Sequence, residues 1–381
     1  MNGGSRPLEG LRVVELAGIG PGPFACGLLA DLGADVVRVE RPTGADGRPG
    51  DLPGGLGGIG VRDRVIVEVD VKEASGLDTV RTMVQHADVL VEGYRPGVAE
   101  RLGLGPLDAL AINPGLVYAR ITGWGQSGPL AGMAGHDINY IGLSGVLASI
   151  GREDPTPPLN LVGDYGGGAM FAVVGILAGL IDRNRTGHGT VIDAAMVDGS
   201  GALLAPIRDL LNLGLWGERR STNLLDGGAP FYRTYRTADD RFVAVGALEA
   251  PFYEALLAGL GIDSGSIPDR MDPASWHELE VIFSEAFSAR TRDEWALVFE
   301  GTDACVTPVL TMSEVMDHAH NSERNALIGT PTGPRPNVAP RFGTDGDRPP
   351  ARRDSTGALT SLGLSDEAIS ALGAAGRIRV V

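Results

Sequence analysis

The sequence predicts an α/β protein with a parallel sheet, followed by a smaller α+β unit. Short apolar runs alternate with stretches of helical spacing over the first half of the chain. Repeated β–α–β order of this kind requires parallel strands with crossover helices on the sheet faces. After Gly217 the order changes to a short hairpin followed by helices. Glycine (57) and proline (25) make up roughly a fifth of the 381 residues and show no period, which reads as many tight turns and not as low complexity.

The elements follow in order. Strands are expected at 11–16 and 36–40, with a helix at 23–32 between them that Gly33 stops. A strand-like run at 65–71, a helix at 74–86, and strands at 89–91 and 117–121 continue the alternation. Two longer helices are expected at 138–150 and 168–181, then a connector over 184–226. Residues 232–235 and 242–245 read as a hairpin, with helices at 251–260, 276–288 and 292–300 and a strand at 306–310. The Pro/Gly-rich stretch 329–350 reads as an extended crossing segment, and a last short helix is expected at 365–372. The domain reading is therefore a large domain over 1–186, a linker over 187–226, a small α+β domain over 227–325, and a return to the large domain over 326–381.

A formal net charge of −16 repels phosphate backbones, so a nucleic-acid partner is not expected. Any anionic ligand would need a local basic pocket. Cys26 and Cys305 stand far apart outside any metal spacing, so neither a disulfide framework nor a zinc site is expected, and Cys26 reads as a small buried hydrophobe. The N-terminal run MNGGSRPLEG shows no apolar signal core, and the apolar run 169–181 is short for a bilayer. A cytoplasmic protein without a membrane partner is the expectation.

Gly20-Pro21-Gly22-Pro23-Phe24-Ala25 formally matches G-x-G-x-x-A between a strand and a helix, with Glu40 ending the next strand. That motif works through backbone N–H groups aimed at a pyrophosphate, and Pro21 and Pro23 have none. The match is a decoy for a dinucleotide site.

The residues that suggest chemistry lie further on. His136, in Gly135-His136-Asp137-Ile138-Asn139-Tyr140, is the only histidine at a Gly-flanked strand-to-helix junction. His86, His188, His277, His318 and His320 read as surface residues. Asp164 opens Asp164-Tyr165-Gly166-Gly167-Gly168, where a helix-capping role is the ordinary reading. A histidine and a carboxylate at one site can act as opposed acid and base on a single carbon. Glu249 sits between a strand and a helix, again a natural cap. Arg41, Lys72 and Arg95 each follow a strand, where ligands of open α/β sheets gather. Arg62 and Arg64 are weaker candidates, and every one of these cations has an ordinary reading as a solvated charge.

The runs GHDINYIGLSG, LNLVGDYGGGAMF, VIDAAMVDGS, DGGAPFY and VAVGALEAPFY resemble the α-methylacyl-CoA racemase branch of the family III CoA-transferases, over residues 8 to about 340. The resemblance implies a Rossmann-like large domain and an interlocked homodimer. It implies racemisation of 2-methylacyl-CoA thioesters through an enolate, with His136 and Asp164 as the two bases and Glu249 orienting the histidine. Asp137, Asn160 and Tyr232 take supporting places, and Arg41, Lys72 and Arg95 fall at CoA-phosphate positions. No separate cofactor or metal is implied, since CoA is part of the substrate. A transferase of the same superfamily, using Asp164 as nucleophile, and a non-catalytic acyl-CoA binder are the alternatives; the transferase needs neither His136 nor Glu249.

Overall fold

The computed structural model describes residues 6–42, 64–331, 333–342 and 354–380. The chain forms two compact units: Met1–Val146 with Pro158–Leu204 and Val338–Val381, and Leu147–Pro157 with Ala205–Asn337.

The first unit opens with β1 (Arg12–Leu16), α1 (Pro21–Asp31), β2 (Asp35–Glu40), β3 (Val65–Glu68), α2 (Ala74–His86) and β4 (Val89–Glu92). Next come α3 (Val98–Arg101), α4 (Pro106–Ile112), β5 (Val117–Thr122) and α5 (Asp137–Ser144). A π-helical segment, Leu161–Met170, runs into α6 (Phe171–Thr186), and β6 (Thr190–Ala195) and α7 (Met196–Leu203) follow. The strands pair in the order β3-β2-β1-β4-β5-β6, all parallel, with β12 (Ile378–Val380) antiparallel on the β3 edge. The parallel part is the 3-2-1-4-5-6 order of the doubly wound nucleotide-binding sheet, which reverses direction between β1 and β4. Its central strands are rich in buried apolar residues, as burial on both faces favours: Val13, Val14, Val37, Val65, Leu90 and Val117 are fully buried.

Several expectations need correction. The helix expected at 23–32 starts at Pro21, because a proline is well placed in a first helical turn. The helix expected over 138–150 ends at Ser144, where Gly145 takes φ +92 and only a short 3₁₀ turn, Leu147–Ser149, remains. The helix expected at 168–181 spans Leu161–Thr186, 26 residues that by length and composition suffice to cross a membrane. Its Ala169, Ala172, Val173, Ile176 and Leu180 are buried in one core cluster with Val117, Ala119 and Ile121 of β5, as in a core helix. Part of the 187–226 linker is β6, an integral strand of the sheet, followed by α7 and by α8 (Ala205–Asn212). Its polar residues, Thr190 and Asp193, hide the strand from an apolar-run criterion.

In the second unit β7 (Tyr232–Arg236) and β8 (Phe242–Gly246) form the expected hairpin, extended by β9 (Val306–Pro308). The helices are α9 (Ala250–Leu260), α10 (Trp276–Phe287), α11 (Arg292–Phe299) and the short α12 (Ala319–Glu323). Its core is aromatic: Phe231, Tyr235, Phe283, Phe287, Trp295 and Phe299 are buried together. The stretch expected to cross as extended chain is in part a hairpin of β10 (Leu327–Thr330) and β11 (Gly333–Pro336), and 343–350 lie outside the described residues. Back in the first unit, α13 (Ser355–Ser361) and α14 (Asp366–Ala374) precede β12.

Candidate active site

The parallel strands bring their C-terminal ends to one edge of the sheet, and the candidate residues of the first unit follow those ends. The loop after β1 closes with Gly20 at φ +67, the cap of α1. A Cβ on Gly20 would stand 3.2 Å from Asp164 Oδ2, so this loop passes directly over the Asp164 carboxylate. Asp164 is thereby brought to the place where the strand order reverses, the usual ligand crevice of such sheets.

Asp164 lies inside the π-helical segment, a geometry that concentrates at functional sites. Glycine makes the segment's packing feasible. A Cβ on Gly167 would stand 2.6 Å from the Ser200 amide nitrogen of α7, and one on Gly168 2.7 Å from Met196 Cγ. The Asp164 carboxylate is half-buried and accepts a hydrogen bond from Asn160 Nδ2 at 3.1 Å. Burial raises its pKa above the ordinary aspartate value; Asn160 lowers it, the Asp137 charge raises it and His136 lowers it, leaving a net rise. Tyr165 stacks on Phe24 of α1, ring centroids 4.5 Å apart, next to the carboxylate.

His136 caps α5 in extended backbone, and its amide donates to Asn139 Oδ1 at 3.0 Å. The helix start is pinned by Tyr140, whose hydroxyl donates to the Gly135 carbonyl and whose ring meets Trp124 edge-on at 4.8 Å. Gly123 leaves room for that ring, which a Cβ there would strike. Tyr140 is pushed up to about 12, by burial first and then by Asp164. The imidazole of His136 is exposed, whereas Asp137 beside it is buried and accepts from the Asp164 amide at 2.7 Å. His136, Asp137, Asn160 and Asp164 are thus brought together by α5 and the π-helical segment. The other histidines stay on the surface or partly buried: His188, His277 and His320 are exposed, His86 and His318 half-buried.

Tyr232 and Glu249 belong to the second unit. Tyr232 opens β7 opposite Gly246, and Glu249 is the exposed N-cap of α9. Both line or adjoin a region of that unit shared with Cys305, whose thiol is raised by burial and then by Glu249.

Arg41 follows β2, Lys72 lies four residues beyond β3 and Arg95 three beyond β4. All three are exposed, and none is in an ion pair among the described residues. Arg95 is presented by a turn that Glu92 braces. Buried Glu92 accepts from the Tyr94 amide at 2.6 Å and from Arg120 Nε at 2.8 Å. Arg64, a weaker candidate, is ruled out as a ligand contact by geometry. It is fully buried, and its guanidinium holds Glu15 Oε2 at 2.6 Å and the Pro23 carbonyl. Arg62 lies outside the described residues. The same neighbourhood disposes of the dinucleotide decoy. Glu40, which would need to reach a ribose, is engaged by Arg38 at 2.8 Å and by Arg379. Sequence reasoning missed Arg38, Glu15 and Arg379, because charged residues inside a strand carry no local signal of pairing.

A family model described as CoA-transferase family III matches residues 8–357. The chain belongs to CoA-transferase family III. Among its relatives in that family, the α-methylacyl-CoA racemase of Mus musculus is 46% identical over 95% of both chains. The α-methylacyl-CoA racemase of Homo sapiens is 48% identical over 88% of this chain and 85% of its own. The crystal structure of a CaiB/BaiF family protein from Brucella suis superposes with a TM-score of 0.76 at 28% identity, covering 93% of this chain and 99% of the other. The seven-stranded, mostly parallel sheet is thus the sheet of a family III fold.

Proposed function

We propose that this enzyme interconverts the two epimers of 2-methyl-branched acyl-CoA thioesters. The observation that carries the reading is the convergence of His136 and Asp164 in a chain 46–48% identical to two α-methylacyl-CoA racemases. The α-hydrogen of a thioester is weakly acidic, so its removal needs an oriented base. Asp164 takes the proton from one face, the C–H electron pair passes into the carbonyl, and an enolate forms. Protonated His136 returns a proton to the opposite face, and the reverse reaction exchanges the two roles. Burial that raises the pKa of Asp164 makes it a stronger base than an ordinary aspartate.

Asn160 supports Asp164 through their hydrogen bond. Glu249 as the partner that orients the His136 ring, and Tyr232 as a supporting polar group, rest on the family resemblance alone. Arg41, Lys72 and Arg95 are assigned to the CoA phosphates because they are exposed, unpaired among the described residues, and beyond the C-terminal ends of β2, β3 and β4. The thioester acidifies its own carbon, so the proposed reaction uses no further cofactor or metal. An interlocked homodimer completes the reading. The interlocking rests on the family resemblance alone; an apolar stripe on α6, where Phe171, Val174 and Ile181 recur at helical spacing and Val174 and Ile181 are 62% and 71% exposed, is a face suited to association.

The test is incubation of a single-epimer 2-methylacyl-CoA in deuterium oxide. Near-equal epimers, each carrying one α-deuterium, are expected. Transfer of CoA to a free carboxylate without α-exchange would establish the transferase reading instead, and binding without either reaction a non-catalytic one.

A further inference from the structure

Asp137 is a buried carboxylate that carries no proton in the proposed reaction, set beside one that does. The residue is 7% exposed. Its Oδ1 accepts from the Asp164 amide at 2.7 Å, and the approach is open only because residue 163 is glycine, where a Cβ would strike that oxygen. Its Oδ2 is buried and has no hydrogen-bond partner among the described residues. A clamp on the Asp164 amide needs only an acceptor, which a neutral asparagine would supply without burying a charge. The carboxylate therefore has a second effect to account for.

We propose that Asp137 is a positioning residue for proton transfer: it clamps the first turn of the π-helical segment through the Asp164 amide, and its charge strengthens Asp164 as a base. The inference rests on Asp164 being a proton carrier. Among the described residues, the groups facing Asp164 are few. From α5 come Asp137, His136 and Tyr140, and from its own segment Asn160. The loop before α1 contributes Gly20, while α1 and α7 contribute Pro21, Met196 and Ser200 to the segment's contacts, none of them ionisable there; Asp198 of α7 is exposed. Asp137 is the negative neighbour that raises Asp164, and His136 opposes it. Asp137 is itself raised by burial and pulled back by the amides of Asp164 and Gly163.

The experiment is the pH profile of kcat/KM for α-proton exchange, measured for both epimers with Asp137→Asn and Asp137→Ala. Asp137→Asn should move the acid limb to lower pH with KM nearly unchanged. Activity at neutral pH should fall by up to about tenfold for each pH unit the limb moves. The fall must be equal for the two epimers, whose equilibrium is a property of the substrate. Asp137→Ala, which also loses the clamp, should fall further. A wild-type profile in Asp137→Asn, or a loss confined to KM, overturns the proposal. Should Asp137→Asn fail to fold in melting curves, Gly163→Ala carries the test by displacing the carboxylate, and an unchanged kcat there overturns the clamp. Wild-type exchange in Asp164→Ala would sink the reading of Asp164 itself; an inactive Asp164→Ala beside a wild-type Asp137→Asn would sink only this inference.

Discussion

Two groups of charges in the first unit, both withdrawn from water, are treated in opposite ways. On β1, Glu15 is 1% exposed and each of its oxygens meets an arginine, Oε1 that of Arg38 on β2 and Oε2 that of Arg64. Arg38 goes on to Glu40, and Glu40 to Arg379 of β12. Around α5 and the π-helical segment, among the described residues, Asp137 keeps one oxygen unpartnered and the Asp164 carboxylate has a single neutral partner in Asn160. A buried charge is tolerable when paired and costly when not. The first cluster thus pairs its charges with one another, and the second keeps carboxylates whose proton affinity is raised by burial. Exposed Arg41, Lys72 and Arg95 form a third class, charges with no internal partner among the described residues.

The contrast is broken most severely at the site. His136→Ala and Asp164→Ala should each lower kcat by roughly 10²–10⁴, with melting temperature and KM changed little. Steady-state epimerisation beside a melting curve checks this, and near-normal kcat in either variant removes that residue from the chemistry. At the paired cluster the pattern should invert. Glu15→Ala breaks a buried network and should cost about 3–5 kcal/mol in denaturant unfolding, while the folded fraction keeps its kcat. A loss below about 1 kcal/mol would show that Arg38 and Arg64 are satisfied without Glu15. The smallest effect belongs to the exposed cations. Arg95→Ala should weaken binding of full CoA thioesters by about 1–3 kcal/mol, less so at high salt, and leave truncated pantetheine thioesters alone. Equal damage to both substrates would place Arg95 outside the nucleotide pocket.

Strand–helix alternation was legible wherever burial on both faces made a strand apolar, as in Val13–Val14, Val65–Val67 and Val89–Val91. It failed at β6, whose exposed Val191 and Asp193 look like loop, and at β12, too short to signal itself before it pairs with β3. Gly33 and Gly145, both at positive φ, stop their helices; the first stop was read from the sequence, and the second was passed over by the helix expected to run to residue 150. The residue types of the site were also legible, because a histidine at a Gly-flanked helix start and an aspartate before three glycines are local patterns. Their environment was not. That Asp137 clamps the Asp164 amide, and that Arg64 is a buried partner of Glu15 and no ligand contact, are facts about residues 27 and 49 positions apart in sequence. Sequence by itself determined where helices and strands could form and which side chains could do chemistry, because backbone preference and side-chain type are local. Tertiary structure alone decided which charges found partners and which were left with raised proton affinity, because burial and pairing depend on groups the chain order keeps apart.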